Sequence, residues 1–160
     1  MFGLGSISSG TGSNGMYQSF IVACFVVLLM GLTTERFRRD VIATEAASSI
    51  TAGQNVNVYG AAVSNWAKAN ASFTGTVSDS TLVLPSWISH PTYLSNYIVA
   101  GTSYIYYIPG SGVSPSRLVS YLSRKGNKAG INSSGILYNG STNVDTVPAA
   151  VPNGAVVLVL

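Results

Sequence analysis

Apolar positions along this chain change their period several times, and each change predicts an element. Met16 to Thr34 is an uncharged run of 19 residues, closed by the cluster Glu35-Arg36-Phe37-Arg38-Arg39-Asp40. As a helix at ~1.5 Å per residue it reaches roughly 28 Å, about one hydrocarbon core. From Arg36 to about Ala71 the composition stays helix-forming, with Gly53 and Gly60 as weak points and Gly53 as the place for a bend. Val56, Tyr59, Val63, Trp66 and Asn70 recur at helical spacing and predict one packing face. Asn70 or Ser72, followed by Phe73-Thr74-Gly75, ends that helix. Leu82 to Trp87 reads as an irregular apolar docking segment. Asn96 to Ala100, a Gly101-Thr102 turn, and Ser103 to Ile108 predict a β-hairpin. Ser114 as N-cap with Pro115 in the first turn opens a short helix, whose buried face is Leu118, Val119 and Leu122 and whose stop is Gly126. Ile131 to Tyr138 and Ala155 to Leu160 read as strands separated by a loop, Asn139 to Asn153. The final strand is almost wholly apolar, so it should be central or covered. The predicted class is α+β: a transmembrane helix leading into an amphipathic helix, packed on a small antiparallel sheet with one further short helix.

The membrane reading of the first run rests on nine residues: Phe20, Ile21, Val22, Phe25, Val26, Val27, Leu28, Leu29 and Leu32. Together they favour insertion by about 3 to 5 kcal/mol. Gln18, Ser19, Thr33 and Thr34 oppose it, but from the ends, where polar groups reach water. The strictly apolar stretch Phe20 to Leu32 is 13 residues, which keeps a buried core helix as an alternative. A cleaved signal peptide is weaker, because residues 1–19 contain no Lys or Arg. Arg36, Arg38 and Arg39 set the topology problem: the positive-inside rule alone puts the domain in the cytoplasm. The Ser, Thr, Asn, Gly and Tyr content of the downstream domain favours the periplasm. The expected organisation is a Gly/Ser-rich flexible tail (1–15), a single-pass membrane anchor (16–34) and one α+β domain (35–160). Gly10 to Gly15 formally matches GxGxxG, but no strand precedes it, so it reads as tail. Cys24 is the one cysteine, which excludes an intrachain disulfide.

Composition narrows the function. Of 160 residues, 47% are hydrophobic and only 8% charged, far below the ~25% of ordinary soluble domains. Such a surface suits a subunit of an assembly and leaves self-association open. The net charge of +3 is scattered apart from Arg124-Lys125-Lys128, which reads as a solvated helix end rather than a nucleic-acid surface. His90 is the one histidine and has no metal-ligand neighbour in sequence. Asp79 and Asp145 read as turn residues. No phosphate loop, nucleophile elbow or zinc-protease motif occurs, so neither a catalytic set nor a cofactor is expected.

Longer strings carry a resemblance. Tyr59-x-x-x-Val63-x-x-Trp66-Ala67-x-x-Asn70, Phe73-Thr74-Gly75-Thr76-Val77, Leu84-Pro85-Ser86-Trp87, Asn96-Tyr97-x-x-x-Gly101 and Val151-Pro152-Asn153-Gly154-Ala155-Val156-Val157 resemble PilM-type proteins of type IVb pilus systems, found in the thin-pilus gene sets of conjugative plasmids. The resemblance covers Met16 to Leu160. It implies a small inner-membrane protein required for pilus biogenesis, with other pilus-assembly proteins and the lipid bilayer as partners, no nucleic acid, and no catalytic residues to carry over. The expected contact surface is neutral and aromatic: Trp87, Tyr104, Tyr106 and Tyr107. A minor pilin is one alternative, since Gly15-Met16 resembles a prepilin junction; against it, Phe20 stands where pilins carry a glutamate. A membrane-tethered envelope hydrolase built on His90, or on Asp79 and Asp145, is the other.

Overall fold

A computed structural model describes residues 43–88, 92–110 and 112–160, apart from the side chain of Lys125. The expected tail and anchor, Arg36, Arg38, Arg39, Cys24 and His90 lie outside these residues. Among the described residues no helix is long and apolar enough to cross a membrane. Ala43 to Leu160 forms one compact unit.

Helix α1 covers 43–69. It buries Ala52, Val56, Tyr59, Val63 and Ala67, one stripe at spacings of three and four, so the amphipathic reading holds. The stripe ends earlier than its pattern suggests. Asn70 has left the helix, and its side-chain amide donates back to the Trp66 carbonyl at 2.9 Å. The Trp66 and Phe73 rings then meet edge to face at 4.9 Å and turn the chain toward the sheet. The helix runs through Gly53 unbroken. A Cβ at Gly53 would overlap the Tyr121 ring, and one at Gly60 would meet Leu160 and Ile105. Both glycines are close-approach points, where tertiary contact outweighs the ~1 kcal/mol helix penalty.

Seven strands form one antiparallel sheet in the order β1-β2-β3-β7-β4-β5-β6. They are β1 (Thr74–Gly75), β2 (Leu94–Val99), β3 (Thr102–Tyr107), β4 (Lys128–Ser133), β5 (Ile136–Asn139), β6 (Thr142–Thr146) and β7 (Val156–Val159). The predicted hairpin is β2–β3, with its turn one residue earlier than expected. Ala100 and Gly101 both take positive φ, 47° and 83°, the mirror-image turn that matches strand twist. The expected single strand over Ile131 to Tyr138 is two strands, because Ser134 and Gly135 repeat that turn at φ 54° and 83°. The expected loop after Asn139 contains β6, whose short, polar, weakly alternating run hides a strand. The last strand is central, hydrogen-bonded between β3 and β4. Helix α2 (Pro115–Leu122) has Ser114 at its N-cap position and buries Leu118, Val119 and Leu122 as predicted, though the Ser114 side chain makes no capping bond. A 3-10 turn follows, and Gly126 ends it. Lys128 belongs to β4, not to a helix end.

Period two along the strands sorts side chains onto two faces. The inner face (Leu94, Ile98, Ile105, Val156 and Leu158 among others) packs with α1 and α2 into the main core. The outer face holds a smaller cluster of Leu137, Val147, Val151, Ala155 and Val157.

Candidate functional site

Two polar constellations and one aromatic surface organise this unit. On the inner side, buried Tyr59 and Asn96 meet. The Asn96 amide donates to the Tyr59 hydroxyl at 2.7 Å and to the Val77 carbonyl at 2.9 Å, and its oxygen accepts the Val77 amide at 2.9 Å. Tyr59 Oη donates to Asp79 Oδ1 at 3.1 Å. Burial, with the Asp79 carboxylate adding to it, pushes the Tyr59 phenol far above its ordinary range. The network therefore holds the phenol neutral and clamps the segment after β1 to α1 and β2. Three strings of the sequence resemblance, those of Tyr59, Val77 and Asn96, supply its members.

Asn132 makes the equivalent clamp on the outer side. Its amide donates to the Val151 and Pro152 carbonyls at 2.9 and 3.0 Å, while its oxygen accepts the Gly135 amide at 3.0 Å. The Asn153 side chain accepts from the Ser134 amide at 2.9 Å. These bonds fasten the segment 147–155 over one end of the outer face, so the Val151-Pro152-Asn153 string is a strap.

The expected contact residues separate. Tyr104 and Tyr106 lie on the outer face, half-buried. Tyr107 does not join them: it is 4% exposed and belongs to the inner core. Adjacent strand residues point to opposite faces, so Tyr106 and Tyr107 could never share one. Burial raises the Tyr107 phenol, with Tyr93, its edge-to-face neighbour at 4.9 Å, adding to the effect. Trp87 is 68% exposed beyond the Pro85 turn, outside both clusters. Within the expected docking segment Leu82 is buried while Val83 is exposed, so only part of it docks.

The outer face gains residues that sequence reasoning missed. Tyr97 pairs with Tyr104, Tyr104 with Val159, and Val159 with Lys128, a row across four strands. Only the hairpin register could have revealed Tyr97. Lys128 Nζ donates to Asp145 Oδ2 at 2.9 Å beside this row. Asp145 is a β6 residue, not a turn residue. The lysine bond and the Thr146 amide lower its carboxyl, and the same bond raises Lys128. Burial raises the Tyr104 phenol, with Asp145 adding to it. The two aspartates thus serve different partners, and the structure does not join them as an acid/base pair. Among the described residues no group of three or more His, Cys, Asp or Glu is arranged to hold a metal ion.

Fold and surface together define a small α+β unit with one helix-covered sheet face and one half-covered aromatic face. The PilM family model matches residues 23–159. The chain belongs to the PilM family, and so is a pilus-related protein. A crystal structure of a pilM protein from Pseudomonas aeruginosa 2192 is 30% identical, covering 69% of this chain and 92% of that one at a TM-score of 0.43. No curated protein matches the chain.

Proposed function

We propose that this protein is a membrane-anchored, non-enzymatic component of type IVb pilus biogenesis that works through protein–protein contacts. Family membership carries the pilus role, and the matched residues 23–159 take in most of the uncharged run as well as the domain. The insertion energy of that run supports an inner-membrane anchor, and the low charge of the domain supports a periplasmic assembly surface. Contacts with other assembly proteins fall to the outer-face tyrosines Tyr97, Tyr104 and Tyr106. Aromatic side chains with a polar tip give large contact area at low ordering cost.

A deletion strain should lose pili while keeping normal pilin levels; intact pili would defeat the proposal. Tyr104→Ser with Tyr106→Ser should reduce piliation while the protein stays folded and membrane-bound, and full piliation would remove the outer row from the interface. Thiol labelling of Ser133→Cys in intact cells reads the side of the membrane, with reaction by an impermeant reagent expected. Absence of the protein from sheared pili separates this role from that of a minor pilin.

A further inference from the structure

Resting on the anchored reading above, we infer that the groove between α1 and α2 lies against anionic lipid headgroups beside the anchor. The groove encloses about 260 Å³. Ala46, Ile50 and Tyr121 line it together with Arg117, Ser120 and Arg124. Arg117 belongs to α2 and Arg124 to the 3-10 turn that follows it, and both line this groove. No carboxylate lines the groove among the described residues. Ile50 is 45% exposed, although the stripe of α1 that faces the sheet is dry. The Arg124 guanidinium sits 5.9 Å from the Tyr121 ring, an aromatic and a cation presented together.

Position in the chain selects the occupant. Eleven residues, 35–45, separate the uncharged run from Ala46. The step from Thr34 to Ala46 spans at most roughly 40 Å even when extended. The linker therefore keeps Ala46 within about 40 Å of a bilayer entered by the run, whereas an acidic protein partner has no such tether. Exposed apolar side chain, interfacial tyrosine and flanking arginines are what a headgroup layer accepts: the apolar group enters the acyl boundary and each guanidinium meets a phosphate.

The test uses the full-length chain with Cys24→Ser, reconstituted into phosphatidylcholine vesicles with or without about 30% phosphatidylglycerol, an anionic surface that attracts basic side chains. A fluorophore on Ile50→Cys reports quenching by a headgroup-nitroxide lipid, and a fluorophore on Ser133→Cys is the control. Quenching at position 50 should rise at least ~3-fold with phosphatidylglycerol, should fall back in Arg117→Glu/Arg124→Glu, and should stay low at position 133. Equal quenching with and without anionic lipid, or no response to the charge reversal, overturns the inference and leaves the groove to a protein partner. Failure of the protein to float with either vesicle type removes the anchor reading instead, which is a separate outcome.

Discussion

The two faces of the sheet are built from the same alternating strands but finished differently. β7 shows it within four residues: Val156 and Leu158 enter the helix-covered core, Val157 is sealed beneath the strap, and Val159 stays half-exposed beside Tyr104. On the inner face α1 and α2 exclude water from a continuous apolar layer, and the polar groups admitted to it are mostly paired. On the outer face, among the described residues, the 147–155 strap covers one end of the strands, and aromatic rings and an ion pair take up the rest. A face closed by helices serves stability. A face left half-open with tyrosines is the one the proposed function gives to a partner.

The largest expected effect breaks the inner face. Leu158→Ala should destabilise by about 3 to 4 kcal/mol, since the cavity lies under α1 and cannot collapse easily. Val159→Ala, one residue on, should cost no more than about 1 kcal/mol. Chemical denaturation of both variants measures the contrast, and equal losses would abolish the distinction between the faces. Next comes Asn96→Ala, which strands the Val77 amide and carbonyl and should cost roughly 2 to 3 kcal/mol. Because folding raises the Tyr59 phenol, its contribution is complete below the unfolded value, near pH 10, and is lost as pH rises beyond it. Tyr59→Phe should flatten that alkaline decline in melting temperature; an unchanged slope would show that another group governs it.

Ser103 is the flaw in the inner face. It is fully buried, and its Oγ has no hydrogen-bond partner among the described residues. Ser103→Ala should therefore stabilise, by up to about 1 kcal/mol. A measured loss of that size would mean that the hydroxyl has a role the inner packing does not explain. The smallest effect belongs to the outer ion pair. Asp145 is lowered in the fold, so its contribution is present above the ordinary carboxylate range and fades as pH falls through its depressed value. Lys128 is raised, so its share persists until strongly alkaline pH. The pair is solvent-exposed, and salt should erase it. Asp145→Asn should reduce the acid sensitivity of the melting temperature slightly, and a large change would mark the pair as structural.

The sequence pattern alone carried the α1 stripe, the β2–β3 hairpin, the buried face of α2 and the central place of the last strand. Each depends on a local period that side-chain burial must obey. It failed at β6, at the break between β4 and β5, and at the roles of Gly53, Lys128 and Asp145. Those depend on what stands opposite in space: a Tyr121 ring, a partner strand, a counter-ion. The candidate surface divided for the same reason. Alternation required Tyr106 and Tyr107 to part, but only the pairing of β3 with β2 and β7 decided which of them met the core and brought Tyr97 into the row. Composition and periodicity are properties of one segment, whereas register, clamps and grooves arise where segments distant in the chain are forced into contact.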